Sequence, residues 1–309
     1  MPRNVQRQPI SKRRRFLRLI ACVAIGLILT VPLYVGLVKT GLVRSPFSPR
    51  LEGDIALARS ERAGLRVLFV GNSFTFYNSM PALVHGLAEA DDGARPLFAV
   101  EYTAPNWNLQ KASRNDGLVD VLGEARWDYV VLQDNSQFLA LGPDWRRREV
   151  YPFARELQRE VALAGSHTVL FMTWGYKKGD SRNFPGDTFE AMQGRLQEGY
   201  ADLGAELFAP VVPVGLAWAE ALRRQPGLDL WAGDGRHPNA SGSYLAACVF
   251  YAMLADRDPT GSTFTAGLEP AEARFLQGVA SDVARAQENG PARSSSLRLG
   301  EEPQVGARS

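Results

Sequence analysis

Residues 66–71, Arg-Val-Leu-Phe-Val-Gly, run straight into Asn72-Ser73-Phe74-Thr75. A short apolar run that stops at glycine has the pattern of a parallel strand buried on both faces, because such a strand needs no polar alternation. The polar residues after it then fall at the strand's carboxyl end, where open parallel sheets carry their ligand sites. Further along the chain the pattern repeats. Residues 97–102, 129–132 and 168–173 read as strands, and 206–212 as a short fifth. Residues 80–90, 144–164, 189–203, 215–224, 239–254 and 270–286 read as helices; in the second of these Val150, Phe153, Leu157 and Val161 keep the helical period. Alternating strands and helices predict an α/β fold, a parallel sheet of about five strands with helices on both faces. There is no internal repeat and no heptad seam.

The chain has 309 residues, 45% hydrophobic and 22% charged. That balance excludes a wholly disordered chain, a collagen and a multi-span membrane protein. The two cysteines, Cys22 and Cys248, exclude a disulfide scaffold or a Cys-rich zinc module. The three histidines leave little room for a His-built metal centre, and no metal or organic cofactor is expected. The net charge of +2 is unevenly placed: residues 1–50 hold ten Lys or Arg and no acid, whereas the rest holds 25 basic and 33 acidic side chains. A nucleic-acid-binding domain carries its positive charge on the folded part, so nucleic acid is not an expected partner.

Residues 19–38 form a 20-residue run without charge. As a helix it spans about 30 Å, the thickness of a bilayer core. Lys12, Arg13, Arg14, Arg15 and Arg18 precede it, which places the N-terminus in the cytoplasm and the rest across the cell membrane. A cleaved signal peptide has an apolar core of about 7–15 residues and a small-residue cleavage site; this run is longer, and Val38-Lys39-Thr40-Gly41 offers no such site. Cys22 opens the apolar run rather than following one, so it reads as a membrane-helix residue and not as a lipidation site. The expected organisation is a basic cytoplasmic tail (1–18), a transmembrane anchor (19–38), a juxtamembrane linker (39–64), one α/β domain (65–287) and a disordered tail (288–309). The Arg- and Ala-rich composition points to a bacterium, which would put the domain in the periplasm or outside the cell.

Four polar clusters fall at strand ends. Ser73 follows the first strand, where a helix start offers backbone N–H groups to an oxyanion; Gly-Asn-Ser is equally a turn or a helix cap. Asp234-Gly235-Arg236-His237-Pro238 precedes a helix. Its spacing lets Asp234 hold one ring nitrogen of His237 while the other faces a nucleophile; a solvated loop reads the same way in isolation. Gln133-Asp134-Asn135-Ser136-Gln137 follows the third strand, where a side-chain amide could donate to an oxyanion. Ala104-Pro105-Asn106-Trp107-Asn108 follows the second and could lend a backbone N–H. His85, on an apolar helix face, and His167, at the amino end of a strand, read as structural. Trp107, Trp145, Trp174, Tyr176 and Trp231 lie in or near these loops, where aromatic rings either bind sugars or cover the edge of a core, and covering the core is the reading favoured. Lys177 and Lys178 could meet an anionic substrate or simply solvate a loop.

Taken in chain order, these clusters over residues 65–255 resemble the SGNH hydrolase (GDSL-like esterase) superfamily. The first block, Gly71-Asn72-Ser73-Phe74-Thr75, and the last, Asp234-x-x-His237-Pro238, carry the resemblance. It implies a flavodoxin-like three-layer α/β/α sandwich, with Ser73 as nucleophile, His237 as base and Asp234 as its partner. It also implies an oxyanion hole from the N–H groups of Ser73 and Asn106 and an amide of the third block: Asn135 first, with Gln133 and Gln137 as alternatives. Asn72, Trp107 and Trp174 are assigned to the substrate. Two blocks depart from the family pattern: no glycine stands near Asn106, and the third block lacks Gly-x-Asn-Asp. The activity implied is hydrolysis of an ester, with an O-acetyl group on a carbohydrate as one form of it. The alternatives are acyl transfer on the same fold and an inactive glycan-binding module. A flavodoxin-like nucleotide binder would need a Gly-rich phosphate loop after the first strand, which is missing.

Overall fold

The computed structural model describes residues 64–289. Five strands form one parallel sheet: β1 (Leu65–Gly71), β2 (Leu97–Thr103), β3 (Tyr129–Leu132), β4 (His167–Phe171) and β5 (Val211–Val212). Their order is β2-β1-β3-β4-β5. Val67 to Val70 pair with Tyr129 to Leu132, and Leu65 to Gly71 with Leu97 to Thr103, so β1 lies between two partners and its side chains are buried on both faces. The chain first moves one way from β1 to β2 and then back across to β3. That reversal makes the β1/β3 crevice the switch point, where ligands bind in open α/β sheets.

Two helical layers cover the sheet. One holds α2 (Met80–Glu89), α8 (Val214–Arg224), α9 (Ala240–Ala255) and α10 (Pro270–Asn289). The other holds α3 (Leu109–Ser113), α4 (Asp116–Glu124), α6 (Tyr151–Leu163) and α7 (Phe189–Leu207), with α5 (Pro143–Glu149) leading into α6. Helix α9 is buried all round from Ser241 to Leu254, beneath the sheet and among α2, α8 and α10. A helix apolar on every side belongs in a core. It starts at Asn239, whose side chain accepts from the Gly242 N–H, so it fixes the position of the residues just before it.

Several expected elements shift. The helix expected over 144–164 is two, broken at Val150, because Pro152 has no N–H for the helical ladder and its ring would clash with the Arg148 carbonyl in a continuous helix. The expected fifth strand shrinks to Val211–Val212, since Glu206 and Leu207 complete α7, which is closed by Phe208 in the left-handed conformation (φ 50°). Helices α3 and α4 were not anticipated. Each has an asparagine cap: Asn108 accepts from the Lys111 N–H and Asn115 from the Leu118 N–H. Among the described residues no helix is long and apolar enough to cross a membrane. The basic tail and the anchor at 19–38 lie outside the described residues, as do the linker up to residue 63 and the tail from residue 290.

Candidate active site

Ser73 is placed by the tight exit from β1. Gly71 ends the strand against the third block: a Cβ there would lie 2.5 Å from Gln133 Oε1 and 2.7 Å from Thr75 Oγ1, so only glycine fits. Asn72 follows in extended conformation, and its Oδ1 accepts from the Phe74 N–H (3.0 Å), capping the short helix α1 (Ser73–Phe76). Its Nδ2 donates to the Trp107 carbonyl (2.8 Å), and its own N–H donates to Gln133 Oε1 (2.9 Å). Asn72 is therefore buried, with both ends of its amide bonded within the protein. It ties the serine turn to the loops after β2 and β3, a positioning task beside the substrate role expected of it.

His237 sits on a loop closed like a hairpin. Ala232 N–H donates to the His237 carbonyl (2.8 Å) and Asn239 N–H to the Leu230 carbonyl (3.0 Å), with Gly235 at the tip in the left-handed region (φ 68°). Asp234 Oδ1 accepts from the N–H groups of Arg236 (2.9 Å) and His237 (3.0 Å), and its Oδ2 pairs with His237 Nδ1. On the far side of the ring, His237 Nε2 lies 2.8 Å from Ser73 Oγ. Partial burial pushes the Asp234 carboxyl up, but the His237 ring and the two N–H bonds outweigh it and hold it below the usual carboxylate value. An ionised carboxylate only accepts, so Nδ1 carries the ring proton and Nε2 is free to accept from the serine hydroxyl. The structure thus brings Ser73, His237 and Asp234 into one hydrogen-bonded row.

The ring is also gripped from its faces. Tyr77 stacks on it at 4.3 Å and 11°, and Phe74 lies at 5.4 Å. Tyr77 belongs to a turn in which Asn78 (φ 52°) and Ser79 (φ 53°) are both left-handed. Asn78 Nδ2 donates to the Pro238 carbonyl (3.1 Å) and to Ser243 Oγ (2.8 Å), joining that turn to the histidine loop and to α9. The sequence reading missed Tyr77 and Asn78; two polar residues just before the proline of α2 were the available sign of a tight turn.

The third block divides its duties. Gln133 Oε1 accepts from Asn72 N–H and Thr75 Oγ1 (2.9 Å each), which fixes its amide orientation, and its Nε2 donates to the Asp134 carbonyl. The second N–H of Nε2 has no partner among the described residues, so Gln133 stays with Asn135 and Gln137 among the amides that can donate to an oxyanion. Asp134, fully buried, accepts at Oδ1 from Leu109 N–H (3.0 Å) and Asn135 N–H (2.8 Å), linking the second and third blocks. The Asn135 side-chain amide has no hydrogen bond among the described residues, and neither have the N–H groups of Ser73 and Asn106. Gln137 Oε1 faces Tyr176 Oη (3.4 Å), leaving its Nε2 available. Asn106 adopts φ 59°. The missing glycine of the second block is thus met by asparagine, which enters the left-handed region more readily than most residues.

Trp174 corrects an assignment. It is 0% exposed, stacked on Phe74 (5.0 Å) and set edge-on to Trp218 (3.6 Å), and its Nε1 donates to the Arg236 carbonyl (2.9 Å). It braces the histidine loop from inside the core. Trp107 stays half-buried beside Asn106 and packs on Tyr102. His85 and His167 lie away from Ser73: His85 Nδ1 meets the Leu97 carbonyl, and His167 opens β4 at its exposed amino end. Among the described residues no group of three His, Cys, Asp or Glu side chains is placed to hold a metal ion.

Neither a scan against protein-family models nor a search of curated proteins finds a match. Solved structures do match. One is a DUF4886 family protein from Bacteroides uniformis, with a TM-score of 0.62 and 18% identity over 76% of this chain and 98% of that one. Another is a protein from Slackia heliotrinireducens provisionally assigned as an SGNH hydrolase, with a TM-score of 0.50 and 27% identity over 61% of this chain and 97% of that one. The fold is that of the SGNH hydrolases. Within that fold, Ser73 and residues 133–137 sit on the two sides of the switch-point crevice, at the carboxyl ends of β1 and β3.

Proposed function

We propose that this protein is a serine esterase of the SGNH type, acting on an acyl ester of a carbohydrate outside the cytoplasm. The observation that carries this reading is the row Ser73 Oγ to His237 Nε2 at 2.8 Å, continued from Nδ1 to Asp234. His237 Nε2 takes the Ser73 proton as Oγ attacks the ester carbonyl. The carbonyl oxygen becomes an oxyanion held by the N–H groups of Ser73 and Asn106 and by the amide of Asn135, Gln133 or Gln137. His237 returns the proton to the departing sugar oxygen, leaving an acyl-serine. Water then gives its proton to His237 and attacks the acyl carbon; Oγ leaves, takes the proton back, and the free acid departs. Asp234 holds the tautomer and stabilises the charged imidazole. Support for a hydrolase also comes from the likeness to the Slackia heliotrinireducens protein. The carbohydrate is what the family resemblance implies.

The test is hydrolysis of p-nitrophenyl acetate and of acetylated sugars by the wild type, Ser73→Ala and His237→Ala. The wild type should turn over, and each variant should lose at least about a thousandfold in kcat with folding intact. Turnover that both variants retain would place the chemistry elsewhere. The extracytoplasmic location rests on the charge pattern around residues 19–38. Protease added to spheroplasts, in which the outer envelope has been opened and the cell membrane kept intact, should reach the domain, and protection there with digestion only after the membrane is lysed would reverse the orientation.

A further inference from the structure

A cavity of about 600 Å³ lies beside the Ser73–His237–Asp234 row, between the loop after β4 and the loop that carries the histidine. Its walls include Tyr176, Lys177, Lys178, Trp231, Asp234 and Arg236. Neither Ser73 nor His237 lines it; it shares Asp234 with the row.

The two walls are bonded together. Lys177 N–H donates to the Gly235 carbonyl (2.9 Å), Trp231 Nε1 to the Gly175 carbonyl (3.1 Å) and Trp174 Nε1 to the Arg236 carbonyl (2.9 Å). The cavity is thus pre-formed, and its volume falls in the ordinary range for small-molecule sites, about 300–1,000 Å³.

Its charges are unbalanced. Both carboxylates on its walls are committed: Asp229 to Lys177 Nζ (2.7 Å), and Asp234 to the His237 ring and two backbone N–H groups. Lys177 is spent on Asp229 and lies over the Trp231 ring at 5.7 Å. Lys178 and Arg236 have no ion-pair partner among the described residues. The Arg236 guanidinium lies over the Tyr176 ring at 5.0 Å, and the Tyr176 hydroxyl accepts from Ser136 Oγ (3.0 Å). A planar guanidinium held on a ring, with an ammonium on the wall of the same cavity, suits an anionic oxygen group such as a carboxylate or sulfate.

We infer that this cavity is a subsite for an acidic sugar, whose anionic group pairs with Lys178 and Arg236 while the acylated part of the molecule reaches Ser73. The inference rests on the esterase reading for the ester, but the anion subsite can be tested without turnover. The full 309-residue chain is titrated calorimetrically with trigalacturonate, with a sulfated disaccharide and with neutral xylotriose, none of them carrying an ester. Trigalacturonate should bind at least about tenfold more tightly than xylotriose at low salt and weaken as salt rises. The sulfated sugar separates a general anion site from one selective for carboxylates. The double substitution Lys178→Gln, Arg236→Gln should remove the preference for the acidic sugars, and Ser73→Ala should leave it intact. Both cations are exposed, so the double variant should fold; should it not, Lys178→Glu alone must lower affinity for the acidic sugar. Equal affinity for acidic and neutral sugars, or a preference that survives loss of both charges, would overturn the inference. Selective binding without hydrolysis would keep the subsite and remove the esterase reading.

Discussion

Tyr77 lies nearly parallel to the His237 ring, and its own ring is 36% exposed, so shortening it leaves no buried cavity. The negative face of a phenol ring attracts an imidazolium more than a neutral imidazole. In the proposed mechanism the contact strengthens as His237 takes the serine proton, which is the step whose rate it would raise. Tyr77→Ala should lower kcat about five- to tenfold with KM within about twofold, while Tyr77→Phe keeps both, because the ring and not the hydroxyl is at work. Steady-state kinetics on p-nitrophenyl acetate checks it; an unchanged kcat in the alanine variant removes Tyr77 from the mechanism. Asp134 makes a second case at this scale. Burial pushes its carboxyl up to about 7, although the N–H groups of Leu109 and Asn135 pull it down. The folded protein then holds a proton that the unfolded chain releases near the ordinary carboxylate value. This contribution to stability is full below about pH 4, declines as pH rises towards 7 and is flat above. Asp134→Asn keeps an oxygen for both N–H groups without the charge. From pH 5 to pH 8 the wild type should lose up to about 3 kcal/mol relative to this variant. Urea unfolding at the two pH values measures the difference, and parallel curves would mean that Asp134 is not buried as an acid.

The turn after α1 and the histidine loop work as one element. Two successive non-glycine residues in the left-handed region cost roughly 1–2 kcal/mol each, and the Asn78 bonds to Pro238 and Ser243 offset that cost. Asn78→Gly relieves strain but cuts the tie; Asn78→Ala cuts the tie and keeps the strain. The alanine variant should be less stable than the wild type by about 2 kcal/mol and the glycine variant by less. Both should lose kcat alike, since the histidine loop is no longer held to the serine turn; urea unfolding with kinetics on the same samples separates the two effects. At this scale the sequence is legible where information is local. The strand at β1 shows as a continuous apolar run, and the break at Val150 could have been read from Pro152. It is less legible where distant residues decide. The orientation of the Gln133 amide is set by Asn72 and Thr75, about 60 positions away, and nothing near Trp174 tells whether its ring faces a substrate or Phe74 and Trp218. The second block departs from the family pattern in residue type alone, since its backbone takes a conformation that asparagine also adopts.

At the scale of the molecule, the parallel sheet separates the chain's point of arrival from its chemistry. The chain reaches the domain at Leu65, the amino end of the inner strand β1, and Ser73 follows the carboxyl end of the same strand. Seven residues of strand put roughly 23 Å between the two ends. The sheet, both helical layers and every member of the Ser73–His237–Asp234 row come from residues 64–289. A protein cut to residues 64–289 should therefore fold on its own and unfold in one cooperative transition. Its kcat/KM on p-nitrophenyl acetate should stay within about twofold of the full chain, since a small soluble ester needs nothing beyond the row and the oxyanion donors. Circular dichroism, urea unfolding and the ester assay on the two proteins side by side make the comparison. A shortened protein that folds but turns over many times more slowly would show that residues outside this span reach the carboxyl end of the sheet. One that aggregates would show that they cover its core. A matched rate would leave residues 1–63 the task of placing the enzyme rather than building it, which is what the charge pattern around residues 19–38 leads one to expect.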